Sequence, residues 1–192
     1  MATKVENPFD KLRYTGKDVE ASAEWFKEKI NSMSKASYKP QNILANEDLI
    51  RRKIRIGNLY LFLYDPKTKN QLPYYDTFPL VYPYRKAEGG FVGYNLHYLP
   101  PMLRFKVMGT LLNIQQYGTR EEKKIAYSYG VLSANEANKY FEPCIRKYLS
   151  SQMRSNFILI PPEDWLSAAL LPTERFVKAS TAKIWKDTLD KV

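Results

Sequence analysis

Residues 72–85 read LPYYDTFPLVYPYR, which sets five aromatic rings, three prolines, one arginine and one acid, Asp76, into a single short run. Each proline lacks the N–H that a β-ladder requires, so an interior strand has little use for them. A disordered linker would not carry so many large rings. The run is therefore ordered, with part of its backbone outside a regular ladder. FPLVYPYR is expected to form a strand near a sheet edge, guarded by Pro79 and Pro83, with tyrosines covering its exposed face.

The neighbouring segments extend this reading. KIRIGNLYLFLYD, 53–65, alternates at Ile54 and Ile56 and then becomes almost continuously apolar. That pattern predicts a strand buried on both faces or strongly curved, with Gly57 at a bend. DPKTKN is a turn. KAEGG is a second turn, where Gly89 and Gly90 are expected to supply positive φ. FVGYNLHYL, 91–99, is a third strand interrupted at Gly93. Three short strands with tight turns predict a small curved antiparallel β-sheet or open barrel.

On the N-terminal side, residues 1–17 are polar and expected to be extended, and a helix is expected from Asp18, with Val19, Ala23, Phe26 and Ile30 at helical spacing. After Pro100 the pattern turns helical. PPMLRFKVMGTLLNIQQYG has proline at its start and glycine at its end. REEKKIAYSYGVLS and NKYFEPCIRKYLSSQM continue in the same style, with Pro143 in the first turn of a helix carrying Ile145, Tyr148 and Leu149. NFILI reads as a strand returning to the sheet, PPEDWLSAALL as a short helix with acids in its first turn, and TERFVKASTAKIWKDTLDKV as a polar, weakly helical tail. The fold class is α+β. The expected division is an N-terminal arm and helix at 1–50, the curved sheet at 51–100, and a helical part packed on the sheet at 101–192.

The residues for chemistry are sparse. His97 is the sole histidine and Cys144 the sole cysteine of 192 residues. One of each builds neither a disulfide nor a zinc site, and no metal, cofactor or catalytic set is expected. A lone strand histidine reads as structural, and Cys144 as a small buried hydrophobe. Asp65 and Asp76 border a turn, where aspartates bond their own backbone. EGGFVG is a hairpin rather than a phosphate loop. No apolar run approaches the roughly 20 residues of a membrane span. MATKVENPFDKLRYTGK lacks the apolar region of a signal peptide. Cysteine usage fits a reducing cytoplasm or a particle assembled there.

Charge is more informative. The chain carries a net +10, from 30 Lys and Arg against 20 Asp and Glu. Residues 49–108 alone hold ten cations and three acids. Arg51, Arg52, Lys53 and Arg55 open the first strand, where Lys53 and Arg55 share a face. Lys67 and Lys69 lie at the first turn, and Arg85 and Lys86 at the second. With Tyr74, Tyr75, Tyr82 and Tyr84 as stacking rings, these cations form a candidate nucleic-acid-binding set, with DNA as the partner. The competing reading is a solvated face with the tyrosines in the core. Arg146, Lys147 and Arg154 add a second anionic contact or a solvent-facing stripe.

Three strings carry a resemblance: YDPK…LPYYDTFPLV, then GFVGYNLHYLPP, then RSNFILIPPEDWLSAALLPTERF. Over roughly residues 50–178 they resemble a family of virion-associated proteins of T-even-like tailed bacteriophages, labelled DNA end protector proteins. The resemblance implies a noncatalytic protein that rides in the virion with the packaged genome, binds the DNA terminus and blocks host exonuclease after injection. It assigns no residue a role. The alternative is a structural subunit of the neck, tail or baseplate, acting on other virion proteins through protein–protein interfaces. The sequence leaves oligomeric state open.

Overall fold

The computed structural model describes residues 47–105, 107–108, 111, 142–170 and 172–191. The helix expected from Asp18 and the segment REEKKIAYSYGVLS lie outside the described residues.

The backbone is a six-stranded sheet with a two-stranded companion. In chain order the strands are β1 (Ile50–Arg51), β2 (Leu59–Leu61), β3 (Tyr75–Asp76), β4 (Leu80–Ala87), β5 (Gly90–Asn95), β6 (Ile145–Leu149), β7 (Phe157–Ile160) and β8 (Phe176–Val177). The large sheet runs β1-β7-β2-β4-β5-β6, every neighbour antiparallel, and stays open rather than closing into a barrel. β3 pairs with β8. Two helices follow late in the chain, α1 (Trp165–Leu170) and α2 (Thr181–Leu189), and residues 101–105 are also helical. The α+β class holds.

The sheet is not confined to residues 51–100. NFILI joins it as β7, between β1 and β2. IRKYL, expected as helix, is β6 and pairs with β5 from Tyr94↔Ile145 to Gly90↔Leu149. The reason is local: Pro143 lies in a 3-10 turn, Glu142–Cys144, and the next five residues alternate between two faces. Arg146 and Tyr148 share one face, and Lys147 lies on the other.

The expected strand at 53–65 shrinks to Leu59–Leu61. Gly57 turns the chain at φ 86° and its N–H donates to the Pro83 carbonyl (2.9 Å). The Tyr60 hydroxyl accepts from the Arg55 N–H (2.9 Å) and the Asn58 amide (3.3 Å). The loop before β2 is thus held by a side chain instead of a ladder.

β4 is interior, not an edge strand. It lies between β2 and β5, and Pro83 is tolerated for two reasons. The β2 ladder ends at Val81, so no strand asks for an N–H on that side, and the β5 register shifts between Pro83 and Arg85. The β4–β5 turn has Gly89 at φ 71°, while Gly90 is needed for space. A Cβ on Gly90 would sit 1.8 Å from the Tyr148 carbonyl oxygen.

Both faces of the sheet are covered. One packs Leu59, Leu80, Tyr82, Tyr94 and Ile160 against Trp165 of α1 and Ile184 of α2. The other gathers an aromatic cluster about Phe62, with Phe157 at 5.2 Å and Tyr148 at 5.3 Å in edge-on contact. The tail expected to be polar and weakly helical is docked. The Trp185 indole N–H donates to the His97 carbonyl (2.9 Å), and the Thr188 hydroxyl donates to the Tyr98 carbonyl (2.9 Å).

Candidate nucleic-acid interface

β6 ends the sheet order among the described residues. Beside it, the loop leading from β2 to β3 and the end of the chain enclose a half-open pocket of about 530 Å³. Its volume lies within the roughly 300–1,000 Å³ usual for small-ligand sites. Buried Tyr64, Tyr98 and Tyr148 line its inner side, and half-buried Tyr74 and Tyr75 its outer side. Tyr64 and Tyr148 meet edge-on at 4.9 Å, and Tyr74 lies 6.0 Å from Tyr98. Burial raises the phenols of Tyr98 and Tyr148, which therefore stay neutral.

Four cations reach the same pocket: Lys67, Arg146, Lys147 and Lys191. None takes part in an ion pair among the described residues. The Arg146 guanidinium sits 4.2 Å from the centre of the Tyr98 ring and donates to the Ile145 carbonyl (2.7 Å). Cation and ring are thus pre-oriented against each other.

The lining holds one carboxylate, Asp76, and it is fully engaged. Its Oδ1 accepts from the backbone N–H of Phe78 (3.0 Å) and Arg175 (3.3 Å). Its Oδ2 accepts from Asn95 (3.2 Å) and lies 2.7 Å from His97 Nδ1. Burial alone would raise this carboxyl, but the His97 ring and the converging donors outweigh it and hold it below its ordinary value. The other His97 nitrogen is 3.0 Å from the Thr173 hydroxyl. His97 is therefore a structural histidine with both nitrogens engaged. Next to it, buried Arg104 pairs with Glu174 and donates to the carbonyls of Leu99 and Ala169 (both 3.2 Å).

Lys178 fixes the pocket's outer loop. Its ammonium donates to the carbonyls of Lys69 (2.6 Å), Leu72 (2.9 Å) and Asn70 (3.3 Å), and its backbone adopts φ 73°. A non-glycine residue in that region is strained, and the three bonds hold it there.

Residues 10–188 match the protein family described as Phage T4 terminal DNA protecting protein. The chain belongs to that family. No match was found among curated proteins or among solved structures.

In this member of the terminal DNA protecting family the cations and rings singled out in the sequence are dispersed. Lys67, Tyr74 and Tyr75 come together in the pocket. Lys69 sits beside it, paired with Asp65 (2.9 Å), which also meets Arg154 (3.4 Å). Arg51, Arg52, Lys53 and Arg55 lie at or after β1, at the opposite end of the strand order, and are exposed. Arg85 and Lys86 are exposed near the β4–β5 turn. Arg85 pairs with Val92, which pairs with Lys147, so these two cations stand about 10 Å apart on one face. Tyr82 and Tyr84 are buried against Tyr94, at 6.4 Å and 4.5 Å, and offer no free ring face. Their part is packing, as the competing reading of the sequence had it.

Arg146 and Lys147 were visible in the sequence only as a second anionic contact or a solvent-facing stripe, and Lys191 was missed. The alternation within IRKYL, bounded by Pro143 and Ser150, is the signal that finds the first two. Cys144 is fully buried, and desolvation pushes its thiol up to about 12. Among the described residues no group of three or more His, Cys, Asp or Glu side chains is placed to hold a metal ion. No described helix is long and apolar enough to cross a membrane.

Proposed function

We propose that this protein binds the ends of linear phage DNA and shields them from exonuclease without cutting DNA itself. It travels in the virion beside other virion proteins after synthesis in the host cytoplasm. The observation that carries this reading is the meeting of four cations, outside any ion pair among the described residues, with tyrosine rings in one pocket of a chain of the terminal DNA protecting family. Cations hold a phosphate backbone without reading sequence. Aromatic rings cover bases whatever their identity, because every base has a π-face. The exposed cations at β1 and at the β4–β5 turn, Arg52, Lys53, Arg55, Arg85 and Lys86, supply further phosphate contacts. The terminus itself falls to Lys67, Tyr74 and Tyr75.

The test is digestion of linear duplex DNA by a processive exonuclease with and without the full chain, at rising salt. Protection that fades with salt, and that competing circular DNA does not abolish, is expected. A neck, tail or baseplate subunit would leave linear DNA fully sensitive and would occur in the particle in a symmetric copy number.

A further inference from the structure

We infer that the 530 Å³ pocket beside β6 takes a single terminal nucleotide of a DNA strand and grips its end phosphate. This rests on the end-binding reading and deepens it. The pocket is far too small for a duplex but suits one nucleotide. Its two kinds of lining match the two halves of that ligand. Half-buried Tyr74 and Tyr75 offer ring surface for a base, and Arg146, Lys147 and Lys67 offer charge for a phosphate.

The quantity of charge favours an end over an internal position. A phosphodiester carries one negative charge, whereas a terminal phosphomonoester carries about −1.5 to −2 at neutral pH. Four cations with no ion-pair partner among the described residues exceed what a phosphodiester needs. Arg146 also presents a planar fork suited to bidentate phosphate contact, and the Tyr98 ring fixes its orientation before any ligand arrives. Asp76 offsets only one of these charges, so the lining keeps an excess of three cations over its single described carboxylate. Clamping of the outer loop by Lys178 means that the wall bearing Lys67 is formed in advance.

The experiment measures binding of the full chain to a labelled hairpin duplex with one open end, prepared with a 5′-phosphate, a 3′-phosphate or two hydroxyls. A phosphorylated end is expected to bind roughly tenfold or more tightly than the hydroxyl end. Whichever phosphate gives that gain identifies the strand that enters. Arg146→Met is expected to remove the preference while keeping salt-dependent binding to the duplex. Because Arg146 packs on Tyr98, the exposed double variant Lys67→Gln/Lys147→Gln is measured beside it and is expected to lose most of the preference with an unchanged melting temperature. Equal affinity for phosphate and hydroxyl ends overturns the inference and leaves end protection standing. So does a preference that survives in both variants. Absence of binding to every duplex overturns the end-binding reading as well.

Discussion

Two sets of ionisable side chains, one inside the fold and one exposed at the pocket, are used in opposite ways. Inside, Asp76, His97 and Arg104 are buried and, with half-buried Glu174, are joined to one another or to backbone groups. At the pocket, Lys67, Lys147 and Lys191 are exposed and have no ion-pair partner among the described residues. Buried charge must be satisfied within the chain, because desolvation leaves no alternative. Exposed charge is inexpensive to leave unpaired, and it stays available to an outside anion. The comparison separates cations that hold the fold from cations that hold a partner. A count of lysines and arginines along the sequence cannot make that separation.

The sharpest way to break the comparison is to remove one buried partner. Asp76→Ala leaves His97 Nδ1, the Asn95 amide and two backbone N–H groups without their acceptor. The expected loss is about 3–5 kcal/mol, seen as a lower urea midpoint. End binding should fall with it, since β3 and the pocket wall share that anchor. A stability within about 0.5 kcal/mol of the parent would mean that the network contributes nothing.

A smaller effect is expected where the pocket's strand meets the sheet. Gly90→Ala drives a methyl group into the Tyr148 carbonyl and forces β5 and β6 apart. Overpacking of this kind costs about 1–3 kcal/mol. Its informative consequence is coupling: the strand displaced carries Arg146 and Lys147, so end affinity should drop along with the melting temperature. Unchanged affinity in a destabilised variant would place the DNA contact elsewhere.

Acid sharpens the comparison further. The Asp76 carboxyl is held below its unfolded value of 3.8. Its contribution to stability is therefore fully present above that value and is lost as pH falls through the folded one. Urea midpoints followed from neutral pH into the acid range should fall, and more steeply in the parent than in Asp76→Asn. Parallel curves for the two proteins would remove Asp76 from the account.

Much of the fold was legible because it rests on local pattern. The turn at Gly89, the strand at NFILI and the helix after Pro161 announce themselves by glycine, alternation and proline. IRKYL misled because its alternation spans only five residues, and the helical style of the segment before it was carried across. β4 misled because its one proline, Pro83, is tolerated in an interior strand, lying beyond Val81 where the β2 ladder has ended. The site was half legible for a related reason. Composition marks tyrosine and lysine as candidates, yet whether a tyrosine faces solvent depends on strand order. Tyr82 and Tyr84 are core because β4 is interior, and Tyr74 and Tyr75 reach the pocket because they precede it.

The smallest expected effect on stability is also the one that isolates the partner-facing charge. Lys67→Gln/Lys147→Gln removes two exposed cations that make no ion pair among the described residues, so its stability should stay within about 0.5 kcal/mol of the parent. DNA binding should respond differently. Removing one cation from a phosphate flattens the slope of log affinity against log salt by about 0.9, so the double variant should flatten it by nearly two. Arg52→Gln/Lys53→Gln, at the far end of the strand order, provides the matched control with the same change in net charge. If both pairs flatten the slope equally, the DNA lies across the whole sheet. If only the β6 pair does so, and only on linear DNA, the terminus is held at the pocket. If neither moves it, these four cations do not contact phosphate and the DNA is held elsewhere on the chain.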